Sequence, residues 1–427
     1  MQVNLKTLGC RLNEAETETW GEQFQAAGHQ IVKSADQADL IVLNTCAVTT
    51  AATRKSRQLI RRLHRQNPSA KMVVSGCYAA LNTDEVATSL GVDLVIRNID
   101  KDRLVDLTQR QLLPNCMPAS ATDPGEHALF KRGRQRAFIK VQDGCRYRCT
   151  FCIVTVARGE ERSRPIEAII TQINTLHAQG IQEVILTGVH LGGYGSDIDS
   201  RLDLLIQAIL AKTRIPRVRL GSLEPWELPG GFFDLFQDSR LMPHLHLPLQ
   251  SGSDSVLRRM ARRCKVQNFA QLIEKARQAI SDFNITTDII VGFPGETEQE
   301  WSESLANIEG IGFGHLHIFS YSPRLGTQAA GMQHQVPTAI KKQRSRSLHE
   351  LARSMKLKTY QRFLNREFPV LWESPDKSRS TTTIFGYTPN YLRVATDACP
   401  NLENTIKNVR INKIDDAGEY APAVLVD

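Results

Sequence analysis

The chain has 427 residues, 41% hydrophobic and 23% charged, with a formal net charge of +8 and a pI near 9.0. A chain of this length holds about two to four domains. It contains no uncharged apolar run of about 18 residues, and its opening MQVNLKTLGC lacks the features of a signal peptide. We therefore expect a cytoplasmic protein with no membrane partner, and the positive charge favours a nucleic acid as partner.

The first region, residues 1–115, alternates strand and helix signals. Such alternation predicts an open parallel sheet with helices on its faces. The predicted strands are Val3–Leu8, Leu40–Leu43, Met72–Val74 and Leu94–Ile96, and the predicted helices include Asn13–Ala27 and Ala51–Gln66. Residues 116–130 are predicted to form a linker, because the chain around Pro114–Gly125 is rich in Pro, Ala, Ser and Thr.

The second alternating region spans residues 131–366 and holds about six strand–helix units, which indicates an α/β fold with a full or partial β/α barrel. Its strand candidates are Ala137–Val141, Glu183–Leu186, Val218–Leu220, His244–Leu247, Thr286–Val291 and His315–Phe319. A basic helix is predicted at Lys341–Arg366. Residues 367–427 carry short alternating runs, which predict a small C-terminal β-barrel.

The nine cysteines do not suggest a disulfide framework, because their number is odd and they are scattered along the chain. Three of them form a C-x3-C-x2-C loop, Cys145, Cys149 and Cys152, directly after the predicted strand AFIKV. Clustered thiolates suit an iron–sulfur cluster or zinc. A structural zinc site takes four ligands, so three favour a four-iron cluster with one iron open to substrate. A zinc loop completed by a distant ligand is the alternative.

A second set of cysteines, Cys10, Cys46 and Cys77, is dispersed in sequence but shares one context. Each ends a predicted strand and is followed by a helix-like segment. The carboxyl ends of neighbouring parallel strands share one edge of a sheet, where ligands bind. A single buried cysteine is usually a core residue, but three in the same setting predict a metal site.

The loop spacing, with Phe151 before the third cysteine, resembles the radical S-adenosylmethionine superfamily. The resemblance implies a [4Fe–4S] cluster whose open iron binds S-adenosylmethionine, which is then cleaved to a 5′-deoxyadenosyl radical. Together with the dispersed cysteines, the loop resembles the radical methylthiotransferases over nearly the whole chain. The other matching segments are Ala157–Arg164, His246–Gly252, Gly292–Thr297 and Tyr321–Arg324.

This family resemblance implies an N-terminal methylthiotransferase domain, a central radical barrel and a C-terminal TRAM domain that binds RNA. Of three branches, the segment Leu186–Gly195 and the opening Lys6–Asn13 most resemble the branch acting on threonylcarbamoyladenosine in tRNA (the MtaB type). Three alternatives stay open: a methylthiotransferase for isopentenyladenosine in tRNA, one for a ribosomal-protein side chain, and a zinc-structured RNA-binding protein without catalysis.

The implied reaction replaces the hydrogen at carbon 2 of an adenine beside the tRNA anticodon with a methylthio group. That C–H bond is strong and not acidic, so a radical can open it where a general base cannot. The resemblance implies two [4Fe–4S] clusters, the second one carrying the sulfur on Cys10, Cys46 and Cys77. It also implies two S-adenosylmethionine molecules per turnover, together with an electron donor and a sulfur donor of unknown identity.

Candidate contacts for S-adenosylmethionine lie at the predicted ends of barrel strands. Gly188 would let the backbone approach the methionine part, and Glu224 would accept hydrogen bonds from the ribose hydroxyls. Gln250 and the backbone near Ile290 and Gly292 would contact the adenosyl group. Taken alone, each of these residues is as readily explained by a structural role.

Three basic segments favour phosphate contact with the anticodon stem-loop, which would position RNA without reading its sequence. They comprise Arg54, Lys55, Arg57, Arg61, Arg62 and Arg65; Lys131, Arg132, Arg134 and Arg136; and Lys341, Lys342, Arg344, Arg346, Arg353, Lys356, Lys358, Arg362 and Arg366. The ordinary alternative is a solvated helix face.

Three cysteines receive no role. Cys264, in Arg262-Arg263-Cys264-Lys265, departs from the family pattern, which would place an aromatic residue there. We expect Cys264 to be a small, partly buried side chain. Cys116 and Cys399 have no partner pattern.

Overall fold

The computed structural model describes residues 1–112, 135–373, 383–397, 399, 401–415 and 418–426. These residues fall into two compact units. Unit one contains residues 1–112, 142–162 and 322–330, and unit two contains residues 135–141, 163–321 and the described residues from 331 onward. The predicted linker and Cys116 lie outside the described residues. Within those residues, no helix combines the length and the hydropathy that crossing a membrane requires.

Unit one is built on a five-stranded parallel sheet with strand order β2-β1-β3-β4-β5. The strands are β1 (Gln2–Thr7), β2 (Gln30–Val32), β3 (Leu40–Thr45), β4 (Lys71–Gly76) and β5 (Leu94–Ile96). The helices are α1 (Arg11–Ala26), α2 (Thr50–Gln66), α3 (Cys77–Leu81), α4 (Thr83–Ala87) and α5 (Leu104–Leu112). The segment 142–162 adds β7 (Gln142–Asp143), α6 (Val154–Arg158) and the start of β8 (Arg162–Ser163). The predicted open parallel sheet is confirmed.

The central strand β3 is buried on both faces, which explains its continuous apolar sequence. Leu40 and Val42 pack in one core with Trp20 and Phe24 of α1. The other face of β3 packs in a second core against α2, through the residues Ile41, Leu43, Ile60 and Leu63. Alternate side chains thus hold a helix on each face of the sheet.

Unit two contains six parallel strands that follow one another in sequence order. They are β6 (Arg136–Lys140), β9 (Glu183–Thr187), β10 (Arg217–Leu220), β11 (His244–His246), β12 (Asn284–Val291) and β13 (His315–Ser320). Parallel bridges from Val218 to Leu241 and from Ser222 to His246 join the two halves. The helices are α7 (Ile166–Ala178), α8 (Leu202–Lys212), α9 (Asp254–Arg259), α10 (Val266–Ala279), α11 (Glu298–Ile311) and α12 (Thr338–Gln361). This arrangement is the predicted partial β/α barrel.

The C-terminal strands of unit two close into a small barrel with strand order β14-β15-β16-β18-β17. They are β14 (Glu367–Trp372), β15 (Thr383–Tyr387), β16 (Arg393–Asp397), β17 (Ile406–Ile411) and β18 (Ala421–Leu425). Its core includes the fully buried Trp372, Val394 and Val409. The prediction of a small C-terminal β-barrel is confirmed.

This small barrel packs against the first residues of the parallel strands. Arg217, which opens β10, donates to the carbonyls of Pro369 and Tyr387 at 2.7 and 3.1 Å. Arg219 pairs with Glu183 at 3.1 Å and donates to the Pro389 carbonyl at 3.0 Å. Because these guanidinium groups are buried, the small barrel supplies acceptors that the parallel strands need.

Candidate active site

The dispersed cysteines lie at one edge of the sheet in unit one. Cys46 directly follows β3, Cys77 directly follows β4, and Cys10 lies three residues beyond β1. Strands β1, β3 and β4 are adjacent and parallel, so their carboxyl ends meet at this edge. The fold thus brings together three residues that are up to 67 positions apart in sequence (77 − 10).

Glycines beside these cysteines permit a close approach of the backbone. Gly9 has φ of +116°, and a Cβ there would lie 2.9 Å from Cys46 Cβ and 3.0 Å from its Sγ. Gly76 has φ of +102°, and a Cβ there would lie 2.2 Å from the Thr45 carbonyl oxygen. Neither position can hold a side chain without rearrangement. The two glycines therefore let the strand ends that carry Cys10 and Cys77 pack closely against Thr45 and Cys46.

The three thiols of this edge lie close enough to influence one another electrostatically. Burial raises the pKa of the Cys46 thiol, and the neighbouring Cys77 and Cys10 raise it further. A metal bound at this edge would have to displace the proton of Cys46. Ser56 of α2 fixes Cys46, because its hydroxyl donates to the Cys46 carbonyl at 3.0 Å and accepts from the Cys46 N–H at 3.3 Å.

The C-x3-C-x2-C loop belongs to the same compact unit. Gly144, with φ of +73°, precedes it, and a Cβ there would lie 1.8 Å from the Glu160 carbonyl oxygen. The Cys145 N–H donates to the Gly159 carbonyl at 3.1 Å, and the Cys152 N–H donates to the Cys149 carbonyl at 3.0 Å. Local hydrogen bonds thus shape the loop, and its three cysteines are all partly exposed.

A cavity of about 300 Å³ lies beside this loop. It is lined by Arg148, Cys149, Thr150, Cys152, Thr155, Val156, Gly326, Thr327 and Gln328. The segment 322–330 belongs to the same unit, and its Ala329 N–H donates to the Thr150 carbonyl at 2.9 Å. Two of the three thiols of the loop therefore face a space where another group can bind.

A buried charge network in unit one escaped the sequence analysis. Arg158, at the end of α6, pairs with Glu16 and Asp143 at 2.9 Å each, and Lys101 pairs with Glu16 at 2.5 Å. Burial lowers the pKa of Arg158, but the charges of Glu16 and Cys77 outweigh it, so the pKa lies well above its usual range. Arg158 stands in the family segment Ala157–Arg164, although nothing in that sequence indicates its burial.

The five candidate contacts for S-adenosylmethionine all lie in unit two. Gly188 follows β9 directly. Gln250, with φ of +74°, donates its N–H to the Asp288 carbonyl and accepts from the Ile290 N–H, both at 2.9 Å. Gln250, four residues beyond β11, is therefore joined to the end of β12 near Ile290.

The remaining two of these residues are more constrained. Gly292 has φ of +73°, and a Cβ there would lie 2.5 Å from Lys341 Cγ. The carboxylate of Glu224 pairs with Arg262 at 2.7 Å, and the Arg262 guanidinium lies 4.4 Å from the ring centre of Trp226. A ribose at Glu224 would share the carboxylate with this arginine.

Polar side chains on three adjacent barrel strands also went unnoticed. His246 of β11 lies 3.2 Å from Asp288 of β12, and His317 of β13 completes a group whose ligand atoms lie within 4.8 Å of one another. The tripeptide His-Leu-His occurs in both β11 and β13. The repeat could have indicated this group from the sequence. Side chains of a strand alternate between its two faces, so both histidines of each tripeptide lie on the same face.

The basic residues differ in exposure. The arginines of α2 are exposed, and Arg57 forms an exposed pair with Glu85. Arg136 pairs with Glu373, and the buried Arg344 pairs with Glu296 at 2.7 Å. Carboxylates of unit two thus already pair with Arg136 and Arg344, and phosphate contact by the basic segments stays a prediction. Lys131, Arg132 and Arg134 lie outside the described residues.

The remaining cysteines fit minor roles. Burial raises the pKa of Cys264 to about 11, and its side chain packs against the core of unit two. It is therefore the small, partly buried side chain that we expected. Cys399 is exposed.

Two family profiles match the chain. The first, described as "Uncharacterized protein family UPF0004", matches residues 2–97. The second, described as "Radical SAM superfamily", matches residues 139–308. The first match covers the sheet with the dispersed cysteines, and the second covers the cysteine loop and most of the parallel barrel.

Full-length relatives also resemble the chain. The threonylcarbamoyladenosine tRNA methylthiotransferase MtaB of Bacillus subtilis is 36% identical over 96% of this chain and 94% of its own length. The protein of the same name from Thermotoga maritima is 38% identical over 87% of this chain and 86% of its own. A tRNA-2-methylthio-N(6)-dimethylallyladenosine synthase of Malacoplasma penetrans is 32% identical over 91% and 82%.

Solved structures support the fold. The radical S-adenosylmethionine methyltransferase TsrM of Kitasatospora setae, with cobalamin and a [4Fe–4S] cluster bound, superposes with a TM-score of 0.56. It is 14% identical, over 77% of each chain. The cobalamin-dependent S-adenosylmethionine radical enzyme OxsB superposes with a TM-score of 0.51 over 83% of this chain and 56% of its own.

Proposed function

Because the chain belongs to the radical S-adenosylmethionine methylthiotransferase family, whose members use a [4Fe–4S] cluster and S-adenosylmethionine, we propose that it converts threonylcarbamoyladenosine beside the tRNA anticodon to its 2-methylthio derivative. The observation that supports methylthio transfer is the presence of two sets of three cysteines in unit one. A radical enzyme that only cleaves S-adenosylmethionine needs one such site, whereas sulfur insertion needs a place to hold the sulfur.

The loop cysteines Cys145, Cys149 and Cys152 hold the radical-generating [4Fe–4S] cluster in this proposal. Three thiolates leave one iron open, and the 300 Å³ cavity beside Cys149 and Cys152 supplies room next to the loop. A cluster there would supply the electron that cleaves S-adenosylmethionine to methionine and the 5′-deoxyadenosyl radical. The chain itself shapes the loop, through the positive φ of Gly144 and the hydrogen bond from the Cys145 N–H to the Gly159 carbonyl.

The dispersed cysteines Cys10, Cys46 and Cys77 hold the second [4Fe–4S] cluster in this proposal. The positive φ of Gly9 and Gly76 and the crowding of the thiols support it. This cluster would carry the sulfur to be transferred. One S-adenosylmethionine would methylate that sulfur. The 5′-deoxyadenosyl radical from the other would take the hydrogen atom from carbon 2, which leaves 5′-deoxyadenosine and a carbon radical to which the methylthio group would bond. An electron donor and a sulfur donor must restore the enzyme.

The five residues of unit two, Gly188, Glu224, Gln250, Ile290 and Gly292, are proposed to contact S-adenosylmethionine. Gln250 and Ile290 support this role because they join adjacent strands just beyond β11 and near the end of β12. Such strand ends carry the ligand sites of β/α barrels. Glu224 has the weakest support, because Arg262 shares its carboxylate.

Transfer RNA is the proposed macromolecular substrate, as the names of the relatives indicate for those proteins. The exposed arginines of α2 supply phosphate contacts. The C-terminal barrel is expected to contribute, but deletion of residues 368–427 is a poor test of that role. It would remove the carbonyl acceptors of the buried Arg217 and Arg219, and thereby destabilise unit two.

The threonylcarbamoyl substrate is favoured over isopentenyladenosine by the segment Leu186–Gly195 and by the names of the relatives with 33–38% identity. Relatives named for dimethylallyladenosine reach 30–32% identity, so this alternative is the nearest competitor. A ribosomal-protein target has no support among these relatives. A non-catalytic zinc protein disagrees with the enzyme family.

Mass spectrometry of tRNA nucleosides tests the substrate. A host lacking this chain should lose 2-methylthio-threonylcarbamoyladenosine and retain its unmodified precursor. The wild-type chain should restore the product, and a matched Cys149→Ala variant should not. Loss of 2-methylthio-isopentenyladenosine instead would reject the proposed substrate, while unchanged methylthio nucleosides of both kinds would reject tRNA modification altogether.

A further inference from the structure

Arg158 contacts the surroundings of both cysteine sites. Its Nη2 donates to Asn13 Oδ1 at 2.7 Å, and its Nη1 donates to Glu16 Oε1 and Asp143 Oδ1 at 2.9 Å each. All of these residues are buried and belong to unit one. A buried arginine that satisfies three acceptors from two segments fixes the position of one segment against the other.

The Asn13 side of this network leads to the dispersed cysteines. Asn13 lies in the first turn of α1, and its Oδ1 lies 3.8 Å from Cys10 Sγ, which donates to it. Its Nδ2 donates to the carbonyl of Thr45, the residue before Cys46, at 3.1 Å. Displacement of Asn13 would therefore disturb two of the three cysteine positions.

The Asp143 side leads to the cysteine loop. Asp143 Oδ1 accepts the N–H of Gly144, the residue before Cys145, at 2.8 Å. The carbonyl of Gly159, which follows Arg158, accepts the Cys145 N–H at 3.1 Å. Arg158 is thus linked to each cysteine site through one intervening side chain, Asn13 on one side and Asp143 on the other.

This network brings charges of both signs close to the cysteine sites. Arg158, Lys101 and Arg162 are its positive groups, and they pair with the carboxylates of Glu16 and Asp143. Reduction adds an electron to a cluster that three thiolates have already made negative. In a buried region of low dielectric constant, nearby cations stabilise the reduced form, and removal of one makes reduction harder.

We propose that Arg158 is a positioning residue shared by the two cysteine sites and that its charge raises the reduction potential of both clusters. The proposal rests on the proposed function, because it requires a cluster at each site. Under this proposal, one buried cation affects two reduction potentials. One belongs to the cluster that starts catalysis, and the other belongs to the cluster that carries the sulfur.

Redox titration of the reconstituted full-length chain, followed by electron paramagnetic resonance, tests this proposal. The Cys10→Ala and Cys149→Ala variants, each of which should keep only one cluster, assign the two signals, because both clusters are held by three cysteines and each leaves one iron open. Arg158→Gln should shift the reduction equilibrium of both clusters about tenfold toward the oxidised form, or 59 mV for a one-electron couple. Arg158→Lys, which keeps the charge, should leave both reduction potentials close to their wild-type values.

A substitution that removes a negative charge instead of a positive one gives a second, independent test. Glu16→Gln removes a negative charge from the same network and should raise both potentials, whereas a packing defect would not produce shifts of opposite sign. Arg110→Gln is the matched control, because that arginine belongs to an exposed pair with Asp106 on α5, and it should leave both potentials unchanged. Should Arg158→Gln fail to assemble its clusters, the Glu16→Gln result decides.

Either potential remaining at its wild-type value in a fully loaded Arg158→Gln protein would overturn the proposal, and so would an unchanged pair of potentials in Glu16→Gln. The proposed function fails in a different way. A wild-type chain that binds only about four irons, instead of the roughly eight of two clusters, would reject the second cluster before Arg158 is tested.

Discussion

The two cysteine sites of unit one are built in different ways. Cys10, Cys46 and Cys77 meet because three parallel strands end at one edge, so their site depends on the whole sheet. The C-x3-C-x2-C loop takes its shape mainly from hydrogen bonds within residues 142–162, with one more from Ala329 to the Thr150 carbonyl. The dispersed site should therefore be sensitive to changes in the sheet, whereas the loop should be sensitive mainly to its own residues. This difference gives each site its own experimental signature.

The largest effect is expected at the loop. Cys149→Ala removes one of three thiolates from the site proposed to cleave S-adenosylmethionine. Both 5′-deoxyadenosine formation and methylthio transfer should fall below detection, as measured by liquid chromatography with dithionite as reductant. Cys264→Ala is the matched control, since that thiol lies outside both sites. Persistent 5′-deoxyadenosine formation by Cys149→Ala would contradict the assignment of the loop.

The dispersed site should separate these two products. Cys10→Ala should abolish methylthio transfer while 5′-deoxyadenosine still forms, because the loop would be intact. The variant should bind about four irons, half of the total for two clusters. Loss of both products together would show that the two sites do not divide the roles as proposed.

The dependence of the dispersed site on the sheet can be tested without touching a cysteine. Gly76→Ala places a Cβ 2.2 Å from the Thr45 carbonyl oxygen at φ of +102°, which costs about 1–3 kcal/mol in a strained backbone. We expect a lower melting temperature and loss of the dispersed cluster, with the loop cluster retained.

The control for this substitution is Gly310→Ala in α11, where an added Cβ meets nothing within 4 Å. It should not lower the melting temperature, because alanine favours a helix over glycine. Equal iron contents in Gly76→Ala and the wild type would show that the dispersed site tolerates movement of its strand end.

Sequence reasoning reached the fold and both cysteine sets because these depend on local patterns. Strand–helix alternation predicts a parallel sheet, and three cysteines in the same strand-end context predict a shared edge. The buried network could not be reached, because Arg158, Glu16 and Lys101 appear in sequence as ordinary charged residues of helical segments. Charge is visible in sequence, whereas burial is decided by packing. The buried Arg344 likewise looks in sequence like any other basic residue of α12.

The smallest effect should appear in the order of cluster loss. Cys46 and Cys77 are 7% and 5% exposed, whereas all three loop cysteines are partly exposed. An iron chelator should therefore remove about four irons in a first phase and the remaining four, of roughly eight, more slowly. The paramagnetic signal that Cys10→Ala retains should disappear in the first phase, because a chelator reaches the exposed loop without opening the sheet. Earlier loss of the dispersed cluster would contradict this expectation. It would mean that the chelator reaches that cluster through the exposed Cys10, and that burial of Cys46 and Cys77 does not protect it.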